Sequence, residues 1–437
     1  MANSVVLLVG VCAFLFCWAT SIKRSFFALY LPLLLLIPPE FTSSITGLPD
    51  FTPSQICLLA LFGFFVVHHL PRWKFSVLDV IVLTYASLSI TSEGYNSAYD
   101  YPLKEINNQL VRVLLPYMFA KELIGHAGNW PPFAKRLIWI VFMITLLAPW
   151  EVRMSDNPFY NFFSHFFHFT ELPFMFRGGW VRYYGPFTHP ILAGVICSLC
   201  LILNYWLIRN KLWGKFRYLP WMMNAFLFFS LVMSSSRAPL FTFFFGIVLA
   251  GIGYSAHRFR TIFIRLGLLA LVCVSIYIVI LPYLSVNPAL AKSRAATTLL
   301  YRIQLIDTYW DIIVEKPLLG WGDGEWPKMG GMPSIDNHYL WIILRHGFLT
   351  LTTFLLMYVM ILPRLLWHGL RKKALDQSTR TLHFALFAIF STQMIVFYTV
   401  FMGGQTETLF FLFLGGTEGL LVQRQQALTF SQQPVLP

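Results

Sequence analysis

The sequence predicts an all-α protein, a polytopic membrane helix bundle of about 12–13 transmembrane helices of bilayer-crossing length. Of its 437 residues, 57% are hydrophobic and 12% are charged, and the mean hydropathy is +0.64. Soluble proteins carry about twice that charged fraction, so the composition excludes a cytosolic enzyme. Long apolar runs recur along the whole chain, and basic residues concentrate in alternate connections between them.

The apolar runs define the predicted elements one by one. They lie at 4–20, 25–39, 54–70, 76–91, 105–120, 136–150, 188–208, 219–233, 237–256, 262–282, 337–362, 381–402 and 406–422. The first run is not expected to be a cleavable signal peptide, because the basic pair Lys23 and Arg24 follows it instead of preceding it. Because no linker and no obvious internal repeat interrupts the series, we predict a single integral membrane domain over residues 1–437.

The net charge of +13 reflects orientation in the membrane. Basic residues cluster in alternate connections, where the acidic residues are Glu122 and Asp376. These connections are 23–24, 72–74, 121–136, 209–217, 258–265, 364–380 and 424. The positive-inside rule places them in the cytoplasm, and the charge therefore gives no reason to expect nucleic-acid binding.

Two of the opposite connections are long, 151–187 and 283–336. The first is rich in Phe, Tyr and Trp, which suits a chain at the level of the lipid headgroups. The second contains an amphipathic pattern predicting a helix over 299–313. Its expected apolar stripe is Leu299, Ile303, Ile306, Trp310 and Ile313.

Several cations stand at or near the predicted outer ends of the helices. Arg182 precedes a Gly-Pro turn and a new span, and an interfacial snorkelling role is as probable as anion binding. Arg237 opens a span after three serines. Arg112 lies well inside another span, where an arginine usually faces a polar cavity or a partner.

His338 opens a late span, with Asp336 as the expected N-cap. A helix-start histidine at the interface is the ordinary interpretation. Arg345, seven residues further on, is expected on nearly the same helix face and about 10 Å deeper, which favours a functional role. Arginines bind phosphate oxygens bidentately, and an imidazole accepts a proton near neutral pH.

Neither the cysteines nor the acids predict a metal site. Cys197 and Cys200 form a C-x-x-C inside an apolar run, where packing explains them. The acids of the long second connection, Asp307, Asp311, Asp323, Glu325 and Asp336, have no spacing that requires a divalent cation.

The motif order resembles the O-antigen ligase and O-antigen/exopolysaccharide polymerase superfamily of bacterial inner-membrane proteins. The first similar stretch runs from Arg182 through Gly185, Phe187, His189 and Pro190 to Gly194, and the second is Ser234-Ser235-Ser236-Arg237. The strongest match runs from Arg302 through Trp310, Glu315-Lys-Pro-Leu-Leu-Gly-Trp-Gly322 and Asp336-Asn-His-Tyr-Leu340 to Gly347. Members often show His-Asn where this chain has Asn337-His338.

The resemblance implies a GT-C-like glycosyltransferase with a large outer loop containing short helices, in the bacterial inner membrane with its active site on the periplasmic side. It implies a metal-independent, inverting glycosyl transfer without a cofactor. The donor would be an undecaprenyl-pyrophosphate-linked glycan, and the acceptor would be a glycan or a lipid-linked acceptor. His338 would be the general base, and Arg182, Arg237 and Arg302 would bind the pyrophosphate. Arg345, Arg112, Asp336 and His189 would support the site or line the lipid channel.

Three functions remain open from the sequence. The leading interpretation is a polysaccharide polymerase that joins repeat units. The first alternative is a ligase of the same superfamily, which transfers finished glycan to lipid A-core or another acceptor. The second alternative is a flippase or transporter of lipid-linked glycan, which the two long connections make less favourable.

Overall fold

A computed structural model shows the predicted all-α polytopic architecture. It describes residues 2–43, 49–96, 100–167, 174–255, 263–265, 267, 294–323, 326–327, 334–370 and 376–431. Within these ranges, the sheet structure amounts to one two-stranded hairpin and an isolated bridge between Ser43 and Phe51. Six described helices are long and apolar enough to cross a membrane, and the chain is therefore treated as a multi-pass membrane protein.

The α-helices are numbered in chain order. They are α1 Ala2–Ala19, α2 Ile22–Ser25, α3 Leu31–Leu36, α4 Pro53–His68, α5 Val77–Asn96, α6 Asp100–Asn108, α7 Leu115–Leu123, α8 Trp130–Thr145, α9 Ala148–Met154, α10 Pro158–Ser164, α11 Pro190–Arg209, α12 Leu219–Met233, α13 Arg237–Ile252, α14 Arg294–Glu315, α15 His338–Leu370, α16 Gln377–Phe397 and α17 Gln405–Ser431. Two π-helical segments, Phe26–Tyr30 and Gln109–Leu114, join α2 to α3 and α6 to α7.

Twelve of the thirteen apolar runs coincide with described helices. The remaining run, 262–282, lies outside the described residues except at 263–265 and 267. Long apolar runs predict membrane helices reliably. Away from water, the N–H and C=O groups of such a run are satisfied by the hydrogen bonds of a helix.

Close backbone contact holds α17 against α7. A Cβ atom added at Gly415 would lie 2.0 Å from the Tyr117 carbonyl oxygen, and one at Gly419 would lie 2.2 Å from the Lys121 carbonyl oxygen. Small residues allow membrane helices to approach in this way. Any larger side chain at Gly415 or Gly419 would force the two helices apart.

Hydrogen bonds between the segments that connect the helices identify the two ends of the bundle. At the basic end, Lys23 Nζ donates to Asn129 Oδ1 at 2.6 Å, and Lys121 Nζ donates to the Lys74 carbonyl at 2.8 Å. At the opposite end, Gln405 Nε2 donates to the Pro186 carbonyl at 3.0 Å. Each of these contacts joins connections that the charge distribution assigns to the same side of the membrane.

The 151–187 segment forms helices and a hairpin. The strands β1 Phe176–Arg177 and β2 Trp180–Val181 pair antiparallel. The buried Glu151 carboxylate accepts hydrogen bonds from the backbone N–H groups of Tyr184 and Gly185. Asn157 Nδ2 donates to the Gly185 carbonyl at 2.8 Å, so α9 and the start of α10 fix the turn that follows Arg182.

The helix predicted over 299–313 is present as α14, and of its predicted apolar stripe Ile313 is buried whereas Trp310 is not. Trp310 is 51% exposed, whereas Leu305, Tyr309 and Ile312 are buried. These residues pack with Leu340 and Leu344 of α15. Ile313 belongs to the same cluster and Ile306 packs against it, so the predicted stripe overlaps the face that contacts α15 and departs from it at Trp310.

Candidate functional site

Arg182 is held by the serine turn between α12 and α13. Its Nε donates to the Ser234 carbonyl at 3.0 Å, and its Nη2 donates to Ser236 Oγ at 2.8 Å. The backbone N–H of Tyr183 donates to the Met233 carbonyl at 3.1 Å. Two motifs that are 52 residues apart in the sequence, from Arg182 to Ser234, thus form one structure, called here the serine–arginine turn (Arg182 with Ser234–Arg237).

The acceptors of Arg182 are neutral, and the site therefore keeps its positive charge. Arg182 is 9% exposed. Burial, together with the nearby Arg177 guanidinium, lowers the pKa of Arg182 to about 10. Arg182 therefore stays protonated near neutral pH, and its buried charge favours binding of an anion.

Arg237 is the first residue of α13 and is exposed. It follows Ser235, whose φ of 49° is in the left-handed region, so the backbone reverses tightly just before the helix. Arg177 Nη1 donates to the Ser235 carbonyl at 2.5 Å. The serine–arginine turn therefore gathers Arg177, Arg182 and Arg237, of which the sequence analysis singled out the last two.

His189 links this turn to the start of α15. Its Nδ1 accepts a hydrogen bond from the Ile191 backbone N–H at 3.1 Å and so caps α11. Burial, followed by the nearby Arg182 charge, lowers the pKa of His189 to about 4, and Asp336 opposes this shift. His189 therefore interacts electrostatically with both Arg182 and Asp336, which lies two residues before His338.

His338 is the first residue of α15 and is 1% exposed. Its ring lies 5.3 to 5.8 Å, centroid to centroid, from four aromatic rings, those of Trp341, Phe354, Phe397 and Phe401. Neither ring nitrogen has a hydrogen-bond partner among the described residues. Buried polar atoms are nearly always paired, so the imidazole of His338 is an exception among the described residues.

The predicted N-cap at Asp336 is wrong. Asn337 caps α15, because its Oδ1 accepts hydrogen bonds from the backbone N–H groups of Tyr339 and Leu340 at 3.0 and 3.2 Å. Asp336 instead accepts a hydrogen bond from Ser334 Oγ at 2.6 Å. The helix begins one residue later than the sequence analysis assumed, and Asn is as good an N-cap as Asp.

The Pro-Leu-Leu-Gly-Trp-Gly motif at 317–322 packs against a break in α15. Gly347 has φ 78° and ψ 178°, which interrupts the helix. The Trp321 N–H donates to the Leu344 carbonyl at 2.8 Å, and the Phe348 N–H donates to the Pro317 carbonyl at 2.8 Å. A Cβ atom at Gly347 would lie 2.2 Å from the Leu318 carbonyl oxygen, so glycine is required there.

The break lies just after Arg345 and leaves Arg345 in the same short helix as His338. Residues 338–346 form a separate short helix, and residues 348–370 are long enough to cross the bilayer by themselves. Arg345 Nε lies 2.6 Å from Glu93 Oε1, and Nη2 lies 2.9 Å from Glu105 Oε2. Arg345 therefore bridges the last turn of α5, which contains Glu93, and the middle of α6, which contains Glu105.

Arg345 is neutralised by carboxylates. Besides Glu93 and Glu105, Asp323 Oδ1 lies 3.6 Å from Nη1, and the guanidinium lies 4.9 Å from the Trp341 ring centroid. Ser92 Oγ donates to the carbonyls of Leu319 and Arg345. Arg345 thereby connects α5 and α6 to the loop that precedes His338.

The two remaining predicted residues lie elsewhere. Arg112 is in the π-helical segment Gln109–Leu114, with Nη1 3.8 Å from Glu407 Oε2. It lines a small cavity together with Tyr30 and Gln405. Arg302 is part of α14, but its side chain lies outside what the structure describes.

The sequence analysis missed Glu93, Glu105 and His346. Glu93 and Glu105 are 0% and 3% exposed, and His346 is 1% exposed, with Nε2 4.0 Å from Glu105 Oε1. The available signal was an acid placed at the end of an apolar run, as in Ser-Ile-Thr-Ser-Glu93. An acid in such a place usually has a cationic partner.

A family model described as O-antigen ligase matches residues 222–355. The matched region contains Arg237, Arg302 and His338, and it confirms the resemblance to the O-antigen ligase and polymerase superfamily. No curated protein matches the chain. The match supports a glycosyltransferase-like enzyme of the ligase or polymerase type, acting on a lipid-linked glycan and an acceptor.

Proposed function

We propose that this chain is a bacterial inner-membrane polysaccharide polymerase. It would transfer glycan repeat units from undecaprenyl pyrophosphate to a sugar hydroxyl at the outer face. The observation that carries the proposal is the serine–arginine turn, where Arg182 is buried and its acceptors among the described residues are neutral. This buried positive charge suits a pyrophosphate.

The reaction would be an inverting displacement. His338 takes the proton from the acceptor hydroxyl, whose oxygen forms a bond with the anomeric carbon of the donor. The bond from that carbon to the phosphate oxygen breaks, and its electron pair leaves with undecaprenyl pyrophosphate. Arg182, Arg237 and Arg302 stabilise the developing negative charge, which can lower the barrier by several kcal/mol without a metal ion.

The enclosure of His338 supports its role as a base. Its two ring nitrogens are buried and have no hydrogen-bond partner among the described residues, so no described protein group competes for the lone pair that would accept the proton. Phe401 is 36% exposed and packs 4.7 Å, centroid to centroid, from Trp341. Phe401 is thus the ring that an entering acceptor would displace.

A groove between α11, α12 and α13 supports a lipid-linked donor. It has a volume of about 350 Å³ and is lined by Leu201, Tyr205, Asn224, Phe228, Phe243 and Ile247. Phe228 and Phe243 stand about two helical turns from Arg237 on the two helices that the serine turn joins. A polyprenyl chain in this groove would place its pyrophosphate beside the turn.

The test is complementation of cells that lack the gene. We expect the deletion strain to accumulate single lipid-linked repeat units and the wild-type gene to restore polymer. His338→Ala and Arg237→Gln should fail to restore it at normal protein levels. His165→Ala and Arg153→Gln are matched controls, because both residues are exposed at the same end. Full-length polymer made by the His338→Ala cells would contradict the proposal.

A ligase is the second candidate, favoured by the description of the matching family model. It would use the same donor and the same residues, and the acceptor would be lipid A-core or another lipid. Accumulation of long lipid-linked chains in the deletion strain, in place of single units, would favour the ligase over the polymerase.

A further inference from the structure

We infer that an aromatic cage around His338 stabilises the imidazolium ion that forms when this residue takes up a proton, and that Trp341 is its main positioning residue. The inference rests on the proposed function, because it concerns the step in which His338 acts as the base. A cation within about 6 Å of an aromatic ring centroid is attracted to the negative face of that ring. The ring centroids of the cage lie 5.3–5.8 Å from that of His338, and the cage consists of Trp341, Phe354, Phe397 and Phe401.

The rings of the aromatic cage come from different segments of the chain. Phe354 belongs to the bilayer-crossing part of α15, Phe397 is the last residue of α16, and Phe401 lies between α16 and α17. Phe410 of α17 is buried and lies 5.5 Å from Phe354 and 6.1 Å from Phe397, centroid to centroid. The tertiary structure therefore holds the rings in place around His338.

The imidazolium of a buried histidine needs a stabilising partner, because removing a charge from water is costly. In serine proteases, a carboxylate that is hydrogen-bonded to the histidine base fills this role. No carboxylate is hydrogen-bonded to His338 among the described residues. Within the described part of the chain, the faces of the aromatic cage are therefore the groups that can stabilise a positive charge developing on this ring.

Trp341 is expected to contribute most of the stabilisation. The planes of its ring and of the His338 ring are nearly parallel, at 15° to each other. The phenylalanine rings are inclined to the His338 ring by 63–80°. Tryptophan also has the strongest cation-binding face of the aromatic side chains. An acceptor that displaces Phe401 would leave Trp341 in place beside His338.

The charge of Arg345 also acts on the Trp341 ring. The guanidinium carbon lies 4.9 Å from the Trp341 ring centroid. A second cation on the same indole would weaken its attraction for the imidazolium of His338. The carboxylates of Glu93 and Glu105, at 2.6 and 2.9 Å from the guanidinium nitrogens, offset that charge. The indole is thereby left available to His338.

The experiment replaces Trp341 by tryptophans carrying one to four fluorine atoms, in the full chain reconstituted in nanodiscs. Each fluorine withdraws electron density from the ring face and changes the size of the ring little. The measurement is the single-turnover rate constant of glycan transfer from a polyprenyl-pyrophosphate donor, with the protein in excess. We expect this rate constant to fall stepwise, by at least about threefold for the tetrafluorinated ring, with unchanged donor affinity and Tm.

The same series at Trp139 is the matched control. This ring of α8 also packs on a phenylalanine, 5.8 Å from Phe142 centroid to centroid, and is 38% exposed. Fluorination there should leave the rate constant unchanged, because the Trp139 ring is not part of the aromatic cage.

Two natural substitutions give a second comparison. Trp341→Phe keeps a weaker cation-binding face and should retain more of the transfer rate than Trp341→Leu, which has none. An equal rate constant across the fluorotryptophan series, together with an inactive His338→Ala variant, would overturn this inference and leave the proposed function intact. Full activity of His338→Ala would contradict the proposed function and this inference with it.

Discussion

Arg182 and Arg345 are both buried at the same end of the bundle, yet their surroundings differ. Arg345 has three carboxylates around it, whereas Arg182 donates to a carbonyl and a hydroxyl. A buried cation surrounded by carboxylates is neutralised and joins structural elements. A buried cation with neutral acceptors retains its charge, and that charge is available to an anionic ligand.

The largest expected effect is the loss of stability in Arg345→Met. The substitution leaves Glu93 and Glu105 buried without their cation, which costs about 3–5 kcal/mol. Arg182→Met removes two hydrogen bonds to neutral groups and should cost about 1–3 kcal/mol. Thermal unfolding in detergent measures the stability of both variants. A loss of stability for Arg345→Met that is equal to or smaller than the loss for Arg182→Met would contradict the comparison.

Arg237→Gln should show the opposite behaviour, a large loss of activity with unchanged stability. Removing one positive group from a developing anion reduces kcat by about 10²–10³. Because Arg237 is exposed, its Tm should stay within error of the wild type. A glycan-transfer assay with purified protein checks the rate, and Arg153→Gln is its control. A rate within threefold of the wild type would remove Arg237 from the site.

Gly347→Ala tests whether the break in α15 is required. The new Cβ atom would meet the Leu318 carbonyl oxygen, and φ 78° disfavours alanine, so we expect a loss of about 2 kcal/mol or more. Gly63→Ala is the matched control, since nothing lies within 4 Å of its added Cβ. Equal Tm values for the two variants would mean that the loop at 317–322 does not need this glycine.

The smallest expected effect concerns His189 and pH. Its pKa is lowered to about 4 in the folded protein, so the unfolded chain takes up the proton first as pH falls below about 6.5. Folding stability should therefore decrease between pH 6.5 and 5 by about 1 kcal/mol after solvent screening. His189→Asn keeps an N-cap and should reduce this pH dependence of Tm. An unchanged pH dependence would exclude His189 as its source.

The helices were predictable because long apolar runs have few alternatives in a membrane. The burial of α14 was predictable only in part, since Ile313 of the apolar stripe is buried whereas Trp310, which matches the same period, is 51% exposed. Periodicity identifies a helix, but the partner surface selects the buried face. The break at Gly347 was also missed, because a glycine within an apolar run gives no sign of its φ until the 317–322 loop is placed against it.

Part of the candidate site could also be predicted from the sequence, whereas the contacts within it could not. Arg182 and the three serines were each visible as unusual features at helix starts, but their contact depends on tertiary folding. The partners of Arg345 were not visible, because Glu93 and Glu105 are about 250 positions away in the sequence. The role of each arginine depends on the side chains that contact it, and the sequence does not show which residues those are.

The leaving-group dependence of Arg237→Gln tests the central claim most directly. The assay would compare glycan transfer from a polyprenyl-pyrophosphate donor and from the corresponding monophosphate donor. If the serine–arginine turn stabilises the departing pyrophosphate, the wild type should strongly prefer the pyrophosphate donor, and Arg237→Gln should lose most of that preference. An equal slowing of both donors in Arg237→Gln would contradict the claim.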